Sequence, residues 1–126
     1  MIMNTVGRAQ EMFGQLRDRL IDGEDMKLIL LHSRFFKGDR SAKEQEVSRL
    51  FGKKAEGSAI LVATQVVEAG LDISCEHLHT ELGPMNALIQ RAGRCACFEG
   101  EAGTVHIYPL PPVALGCRTA TTHTSL

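Results

Sequence analysis

Residues 59–74 read AILVATQVVEAGLDIS, five small or branched apolar residues that pass directly into a polar turn containing Gly70. An apolar run without alternation is typical of a strand buried on both faces, as strands of a parallel sheet are. Residues 27–31 (KLILL) have the same character. Two such runs in one short chain predict a parallel sheet, and the segments around them predict how that sheet is covered.

Segments with helical spacing of apolar residues separate the apolar runs. The sequence predicts helices at 6–20, 41–51 and 84–94, and strands at 27–31, 59–63, 77–82 and 104–108, with 1–4 as the end of a further strand. Ser41 is the predicted N-cap of the second helix, and Pro84 lies in the first turn of the third. Strands that alternate with helices predict an α/β fold, a parallel sheet with helices on both faces in three layers.

The charge of the chain is balanced overall but unevenly distributed. Among 126 residues, 14 are basic and 15 acidic, a net charge of −1, which does not indicate a domain that binds nucleic acid by bulk charge alone. Residues 34–54, however, hold seven basic and three acidic side chains. This segment is either the solvated face of a helix or one wall of an anion-binding groove.

Cysteines and hydropathy bear on the compartment. Four cysteines fit no disulfide framework in a chain of this size, so free thiols in a reducing cytoplasm are the expectation. Cys75, His77 and His79 alternate along a predicted strand, but their spacing is not that of a structural zinc site, and we expect no metal there. No apolar run approaches the roughly 20 residues that a membrane span needs.

The turn after residues 59–63 is the first candidate site. In open α/β sheets, ligands bind at the carboxyl ends of the strands. Thr64 and Gln65 follow such a strand end, where a hydroxyl and free N–H groups suit a nucleic-acid phosphate. Gly70 would permit close approach of the backbone, and Asp72 could bond a ribose hydroxyl. The alternative is ordinary turn chemistry.

The second candidate is QRAGRCAC at residues 90–97. On a helix that reaches residue 94, Arg91, Arg94 and Cys97 would share one face, and two guanidiniums can hold a phosphate chain with forked geometry. Gln90 beside them could bond a phosphate or an attacking water. The alternative is that the cations only complement the helix dipole.

Parts of a complete ATPase site are missing from the sequence. There is no G-x-x-x-x-G-K-[ST] phosphate loop and no adjacent Asp–Glu pair to hold magnesium at a strand end. Phosphoryl transfer needs both a phosphate cradle and a metal besides arginines. The sequence therefore predicts at most half of an ATPase site.

Four blocks in order carry a resemblance: 3–10 (MNTVGRAQ), 32–40 (HSRFFKGDR), 63–73 (ATQVVEAGLDI) and 90–94 (QRAGR). Together they resemble the second RecA-like lobe of superfamily 2 helicases. Their wording is closest to the helicase half of the CRISPR-associated type I helicase–nuclease, and the resemblance covers about residues 2–108.

The resemblance implies an ATP-driven motor that tracks single-stranded DNA, with ATP and Mg²⁺ held mainly by a first RecA-like lobe that is absent here. The residues it implies near the strand are Asn4, Thr5, His32, Ser33, Arg34 and Thr64. It implies that Gly70 and Asp72 border the nucleotide, and that Gln90, Arg91 and Arg94 face its phosphates. A CRISPR surveillance complex is a further implied partner.

The chain departs from the family pattern at one position. The family's Q-R-x-G-R-x-x-R block ends in an arginine where Cys97 stands, so binding of nucleotide without fast hydrolysis is one expectation. We expect a lobe at 1–110 with a truncated start, a polar, disordered tail at 111–126, and no ATPase activity in isolation. The alternative is a catalytically dead RecA-like binding module or a decayed gene fragment.

Overall fold

The computed structural model of the chain describes residues 1–20, 25–68 and 70–110. Its helices are α1 (Val6–Arg19), α2 (Lys37–Phe51) and α3 (Met85–Ala92), and its strands are β1 (Met26–Leu31), β2 (Ser58–Ala63), β3 (His77–Glu81) and β4 (Thr104–Tyr108). A short 3-10 turn, Gln65–Val67, follows β2. The disordered tail predicted at 111–126 lies outside the described residues.

All strand pairs are parallel. β1 pairs with β2 from Met26 opposite Ser58 onward, and β3 pairs with β4 from His77 opposite Thr104. The first residues of the chain join the two pairs, because Ile2 bridges both β2 and β3 in parallel. The resulting order is β4, β3, residues 1–3, β2, β1, which confirms the predicted parallel sheet, with an isolated bridge at Ile2 where the sequence predicts the end of a strand.

Helices cover both faces of this sheet, which confirms the three-layer α/β fold. One core cluster includes Leu31, Val47 and Leu78 and lies on the side of α2, while the other joins Met3, Ala9 and Val62 on the side of α1. The pleat of each strand explains this division, since neighbouring side chains point to opposite faces of the sheet and both faces of an unbroken apolar run are therefore buried. Within the described ranges, no helix is long and apolar enough to cross a membrane.

α2 begins earlier than the sequence predicts. It starts at Lys37, so the prediction of Ser41 as its N-cap is wrong. Phe36 occupies the N-cap position with an extended backbone and no side-chain cap, while Asp39 lies in the first turn. An acidic side chain there complements the helix dipole, and the Arg40–Glu44 pair one turn apart supports the added residues.

α3 ends earlier than predicted. Its last residue is Ala92, and Gly93 forms the C-cap. Arg94 and Cys97 therefore lie beyond the helix, and the prediction that they share one helical face with Arg91 is wrong. The chain after Gly93 turns to pair Cys95 with Cys75 in an isolated bridge.

Candidate nucleotide and nucleic-acid site

The carboxyl ends of the parallel strands meet at one edge of the sheet. Residues 1–3, β1 and β2 end there and lead into Asn4, His32 and Thr64 respectively. The three blocks predicted to contact a nucleic-acid strand are therefore brought together by the topology, although 60 positions separate the first from the last.

Asn4 ties this edge to the end of β3. Its backbone N–H donates to Glu81 Oε2 at 2.7 Å, and its Nδ2 donates to the carbonyl of Leu82 at 2.8 Å. Arg8 forms an ion pair with the same carboxylate. Thr5, the N-cap of α1, is exposed and accepts from the backbone N–H of Arg8 at 3.3 Å. Thr5 thus offers a hydroxyl at the edge, whereas Asn4 is committed to the fold.

Arg91 is buried, with 3% of its surface exposed. Its Nε donates to Glu68 Oε1 at 2.8 Å, and its Nη1 donates to Asn4 Oδ1 and Thr80 Oγ1, each at 3.0 Å. A further bond reaches the Glu81 carbonyl at 3.2 Å. The guanidinium therefore fastens α3 to the strand ends, and its predicted contact with phosphate stays a prediction.

Arg94 joins the second arginine motif to the turn after β2. Its Nη1 donates to the carbonyl of Leu71 and its Nη2 to the carbonyl of Glu68 at 3.0 Å. The Nε of Arg94 is buried and has no hydrogen-bond partner among the described residues. The turn with Gly70 and Asp72 thus lies directly against the half-buried Arg94, as a shared nucleotide site would require.

The turn itself is open to solvent. Gly70 has φ of 82°, a left-handed conformation that favours glycine, and apart from its neighbours in the chain no described atom lies within 4 Å of where a Cβ would be. Asp72 is exposed. Space beside Gly70 and an exposed carboxylate at Asp72 fit a nucleotide at this turn.

Thr64, at this edge, has a buried hydroxyl group without a hydrogen bond among the described residues. It is 1% exposed, yet its Oγ1 has no hydrogen-bond partner within the part of the chain that the structure describes. A buried hydroxyl without a partner costs about 1–3 kcal/mol, so it is expected to be satisfied in the functional state. Its neighbour Gln65 is exposed and begins the 3-10 turn.

His32 is a strand-end histidine whose ring makes a structural hydrogen bond. Its Nδ1 accepts from the backbone N–H of Arg34 at 3.1 Å, and its ring stacks on Phe35 with centroids 4.1 Å apart. Burial lowers the pKa of His32, and the nearby cations Arg34 and Lys43 lower it further. Ser33 and Arg34, which follow this ring in the chain, are both exposed.

The remaining members of the 90–97 motif are accessible. Gln90 and Cys97 are exposed, and the Cys97 backbone N–H donates to Ser74 Oγ at 2.8 Å. The position at which the helicase family has its last arginine is therefore at the surface, close to the end of the turn that holds Gly70 and Asp72. A thiol there supplies neither a positive charge nor a forked donor.

Cys75 and Cys95 lie opposite each other in an isolated parallel bridge. Burial raises the pKa of Cys75 to about 11, and its Sγ donates to the carbonyl of Arg94 at 3.3 Å. Both are free thiols, as is Cys97. Within residues 1–20, 25–68 and 70–110, no three His, Cys, Asp or Glu side chains are grouped so that they could hold a metal ion.

Two carboxylates of the site were not predicted from the sequence. Glu81 is 4% exposed and anchors Asn4 and Arg8, while Glu68 receives Arg91 through its side chain and Arg94 through its carbonyl. Both belong to short loops or strand ends whose pairing partners are distant in sequence. The available signal was the absence of Lys and Arg from residues 55–90, which leaves their partners to come from outside that segment.

Comparisons with known proteins agree on one family. The family model described as CRISPR-associated nuclease/helicase Cas3, C-terminal, matches residues 1–98. A putative CRISPR-associated nuclease/helicase Cas3 of Methanocaldococcus jannaschii is 42% identical over 95 residues, 74% of this chain and 12% of that protein. The CRISPR-associated nuclease/helicase Cas3 of Streptococcus thermophilus is 43% identical over 95 residues, 74% of this chain and 10% of that protein.

Solved structures of the same family also match this chain. The crystal structure of T. fusca Cas3 with AMPPNP superposes with a TM-score of 0.78 at 32% identity, over 89% of this chain and 15% of that one. A CRISPR RNA-guided surveillance complex in a pre-nicking state matches with a TM-score of 0.72 at 32% identity, over 90% of this chain and 15% of that chain. This chain spans between a tenth and a sixth of the length of these relatives. It belongs to the C-terminal helicase family of the CRISPR-associated nuclease/helicase Cas3, and it corresponds to part of that helicase's second RecA-like lobe.

Proposed function

We propose that the chain serves as the second lobe of an ATP-dependent, CRISPR-associated motor that unwinds DNA in the cytoplasm. ATP and Mg²⁺ are held between it and a first RecA-like lobe, which supplies the phosphate loop and the metal ligands. Single-stranded DNA lies along the carboxyl edge of the sheet, and a CRISPR surveillance complex delivers the motor to its target. Without the first lobe, the chain does not hydrolyse ATP.

One observation carries the nucleotide half of this proposal. Arg94 bonds two carbonyls of the 68–71 loop, so the arginine motif and the turn with Gly70 and Asp72 form a single surface. ATP bound beside this surface would supply a phosphoryl group whose negative charge grows as it transfers. Arg94 is placed to stabilise that charge from this lobe, with Gln90 exposed nearby to orient water or phosphate.

Arg91 contributes to the same site by position. Its four hydrogen bonds connect Glu68 with Asn4, Thr80 and the Glu81 carbonyl, so it fixes the loop that Arg94 also bonds. Loss of these bonds would let the nucleotide loop and the strand ends move relative to each other. We therefore assign Arg91 a positioning role and reserve direct phosphate contact for Arg94.

The nucleic-acid half is supported by the exposed polar groups at the carboxyl edge. Four polar side chains are exposed there: Thr5, Ser33, Arg34 and Gln65. The hydroxyl of Thr64 is buried and has no partner among the described residues. Hydroxyl, amide and guanidinium donors are the groups that contact nucleic-acid phosphates. These donors come from three neighbouring strand ends, so they can follow a backbone that crosses the edge.

The test joins this chain to the first RecA-like lobe of a relative and measures ATP hydrolysis with single-stranded DNA. Arg94→Lys should lower the DNA-stimulated rate severely, because a lysine keeps the charge but cannot bond two carbonyls and a phosphate at once. Cys97→Arg should raise the rate, by up to roughly 10³-fold if the missing arginine limits hydrolysis. Gly14→Ala in α1, away from the site, is the control.

A second candidate function rests on Cys97. The thiol stands where the family has its last arginine, which favours a RecA-like module that binds a partner or nucleic acid without hydrolysis. In that case ATP turnover of the joined protein would stay at background, and Cys97→Arg would not change it. Turnover by the 126-residue chain alone would contradict both functions.

A further inference from the structure

We propose that Phe36 is a stacking contact for a base of single-stranded nucleic acid at the carboxyl edge of the sheet. The assignment rests on the proposed function, and it adds a base contact to the phosphate contacts assigned above. It identifies a ligand by chemistry, an unpaired nucleobase next to a phosphate, without preference for sequence.

Two successive phenylalanines after β1 have different environments. Phe35 is half-buried, stacks on His32 at 4.1 Å and lies under the ammonium of Lys43, 4.7 Å from the ring centroid. Phe36 is 84% exposed, the most exposed of the large apolar side chains that the structure describes. Phe35 is therefore part of the fold, whereas packing within the described chain does not explain Phe36.

The position of Phe36 is fixed although its ring is exposed. It occupies the N-cap position of α2, and its carbonyl accepts the backbone N–H of Arg40 at 2.8 Å. The ring therefore projects from an ordered corner between β1 and α2, not from the middle of a long loop. Because the backbone is already ordered, stacking of a base on Phe36 would cost mainly the rotamer freedom of one side chain.

Cations flank the ring on both sides in sequence. Arg34 and Lys37 are exposed, and the nearest acidic residue, Asp39, lies one half-turn further into α2. An aromatic ring between cations is the combination used by proteins that bind single strands, where the charges track the backbone and the ring takes a base. This environment favours a nucleic acid over an apolar protein partner.

Other exposed apolar side chains lack that combination. Met85 and Ile89 on α3 are 71% and 65% exposed, but neither is aromatic, and the cation nearest to Ile89 in sequence, Arg91, is buried. Ile107 is on β4, which lies at the opposite edge of the sheet from β1. Phe36 is thus distinguished by its cationic neighbours and by its place beside the strand-end residues Ser33 and Arg34.

The test uses the full chain and exploits its lack of tryptophan. The Phe36→Trp variant is titrated at low salt with a deoxythymidine oligonucleotide of about 12 nucleotides, and separately with an abasic oligonucleotide of equal length. Stacking should quench the indole emission with the base-containing strand only. The Ile89→Trp variant carries the same reporter on α3, and its emission should not respond to either strand.

Affinity gives a second measurement. By anisotropy of a labelled strand, Phe36→Ala should bind about 5-fold to 100-fold more weakly than the parent chain, and Ile89→Ala should bind equally well. Phe36→Ala should remove most of the difference between the base-containing and abasic strands.

The outcomes separate this inference from the function on which it rests. If the parent chain binds the strand, but Phe36→Trp emission is unchanged or is quenched equally by the abasic strand, the stacking assignment is wrong and the strand contact stands. If the parent chain binds no single strand even at low salt, the nucleic-acid half of the proposed function fails, and the role of Phe36 fails with it.

Discussion

Replacement of Arg91 by methionine tests whether the buried guanidinium holds the site together. Methionine retains the length and apolar stem of arginine but removes the charge and all four hydrogen bonds. The side chain of Arg91 is 4% exposed and that of its partner Glu68 is 15% exposed, so water can restore little of what is lost. Asn4 Oδ1 and Thr80 Oγ1 lose a donor as well.

The expected cost follows from these burials. Removal of one partner from a buried ion pair destabilises a protein by roughly 3–5 kcal/mol. Because Glu68 keeps limited contact with solvent, we expect the lower end, about 3 kcal/mol. A domain of this size has a total stability of about 5–15 kcal/mol, and a loss of 3 kcal/mol lowers its melting temperature by roughly 10–20 °C.

Far-UV circular dichroism is the suitable assay, because the chain has no tryptophan and one tyrosine. Urea midpoints and melting temperatures should fall for Arg91→Met and by less for Arg91→Lys, which keeps a charge and part of the bonding. Arg17→Met is the matched control: Arg17 pairs with Asp18, both side chains are about two-thirds exposed, and the change should stay within about 0.5 kcal/mol.

Two results would refute the reasoning. Glu68→Gln is a milder break of the same ion pair, for use where Arg91→Met does not fold, and should cost about 1 kcal/mol. A melting temperature of Arg91→Met within about 2 °C of the parent would show that the guanidinium is dispensable. A loss in Arg17→Met as large as that in Arg91→Met would show that the effect has nothing to do with burial.

Three further predictions concern single residues of the site. Thr64→Val replaces an unpartnered buried hydroxyl by a methyl group, so the urea midpoint should rise by the equivalent of about 1 kcal/mol while single-strand affinity falls; a lower midpoint would mean that the hydroxyl is already satisfied. The pKa of His32 is lowered in the folded chain, so the unfolded chain binds this proton more readily, and stability should decline as pH falls from about 6.5 through the lowered value. His32→Asn keeps an acceptor for the Arg34 N–H and should flatten the dependence of the urea midpoint on pH. An unchanged pH dependence would assign the effect to other groups such as His79, whose pKa is also lowered by burial. Gly70→Ala should cost about 1 kcal/mol through its left-handed backbone, whereas Gly14→Ala inside α1 should stabilise by about 0.5–1 kcal/mol; equal signs in thermal melts would contradict the conformational explanation.

The arginine motif of this chain has a cysteine, Cys97, where the helicase family has its last arginine. The two arginines that remain make different contacts: Arg91 is buried among strand ends and bonds the Glu68 carboxylate, whereas Arg94 bonds the carbonyls of Glu68 and Leu71. Neither replaces a cation at the exposed position of Cys97. Restoring the arginine therefore changes a surface group without disturbing the buried network, which makes Cys97→Arg a clean test of catalytic competence.

The sequence by itself determined the fold class and the order of its parts. Two non-alternating apolar runs required a sheet buried on both faces, and helical spacing between them required crossover helices, because each buried strand face needs a covering layer. The strand at Thr104–Tyr108 has the predicted bounds, and the motif turn lies at a strand end as expected. These features depend on local periodicity, which is visible in the residues alone.

Only the tertiary structure decided which arginine does what. From the sequence, Arg91 and Arg94 were equivalent cations three positions apart, and the early end of α3 at Gly93 was not predictable from spacing. Their roles depend on Glu68, Asn4 and Thr80, which come from three other elements. Phe35 and Phe36 were equally indistinguishable until one ring was buried by His32 and Lys43 and the other was not. Burial and pairing are properties of residues distant in the chain, so no local pattern can assign them.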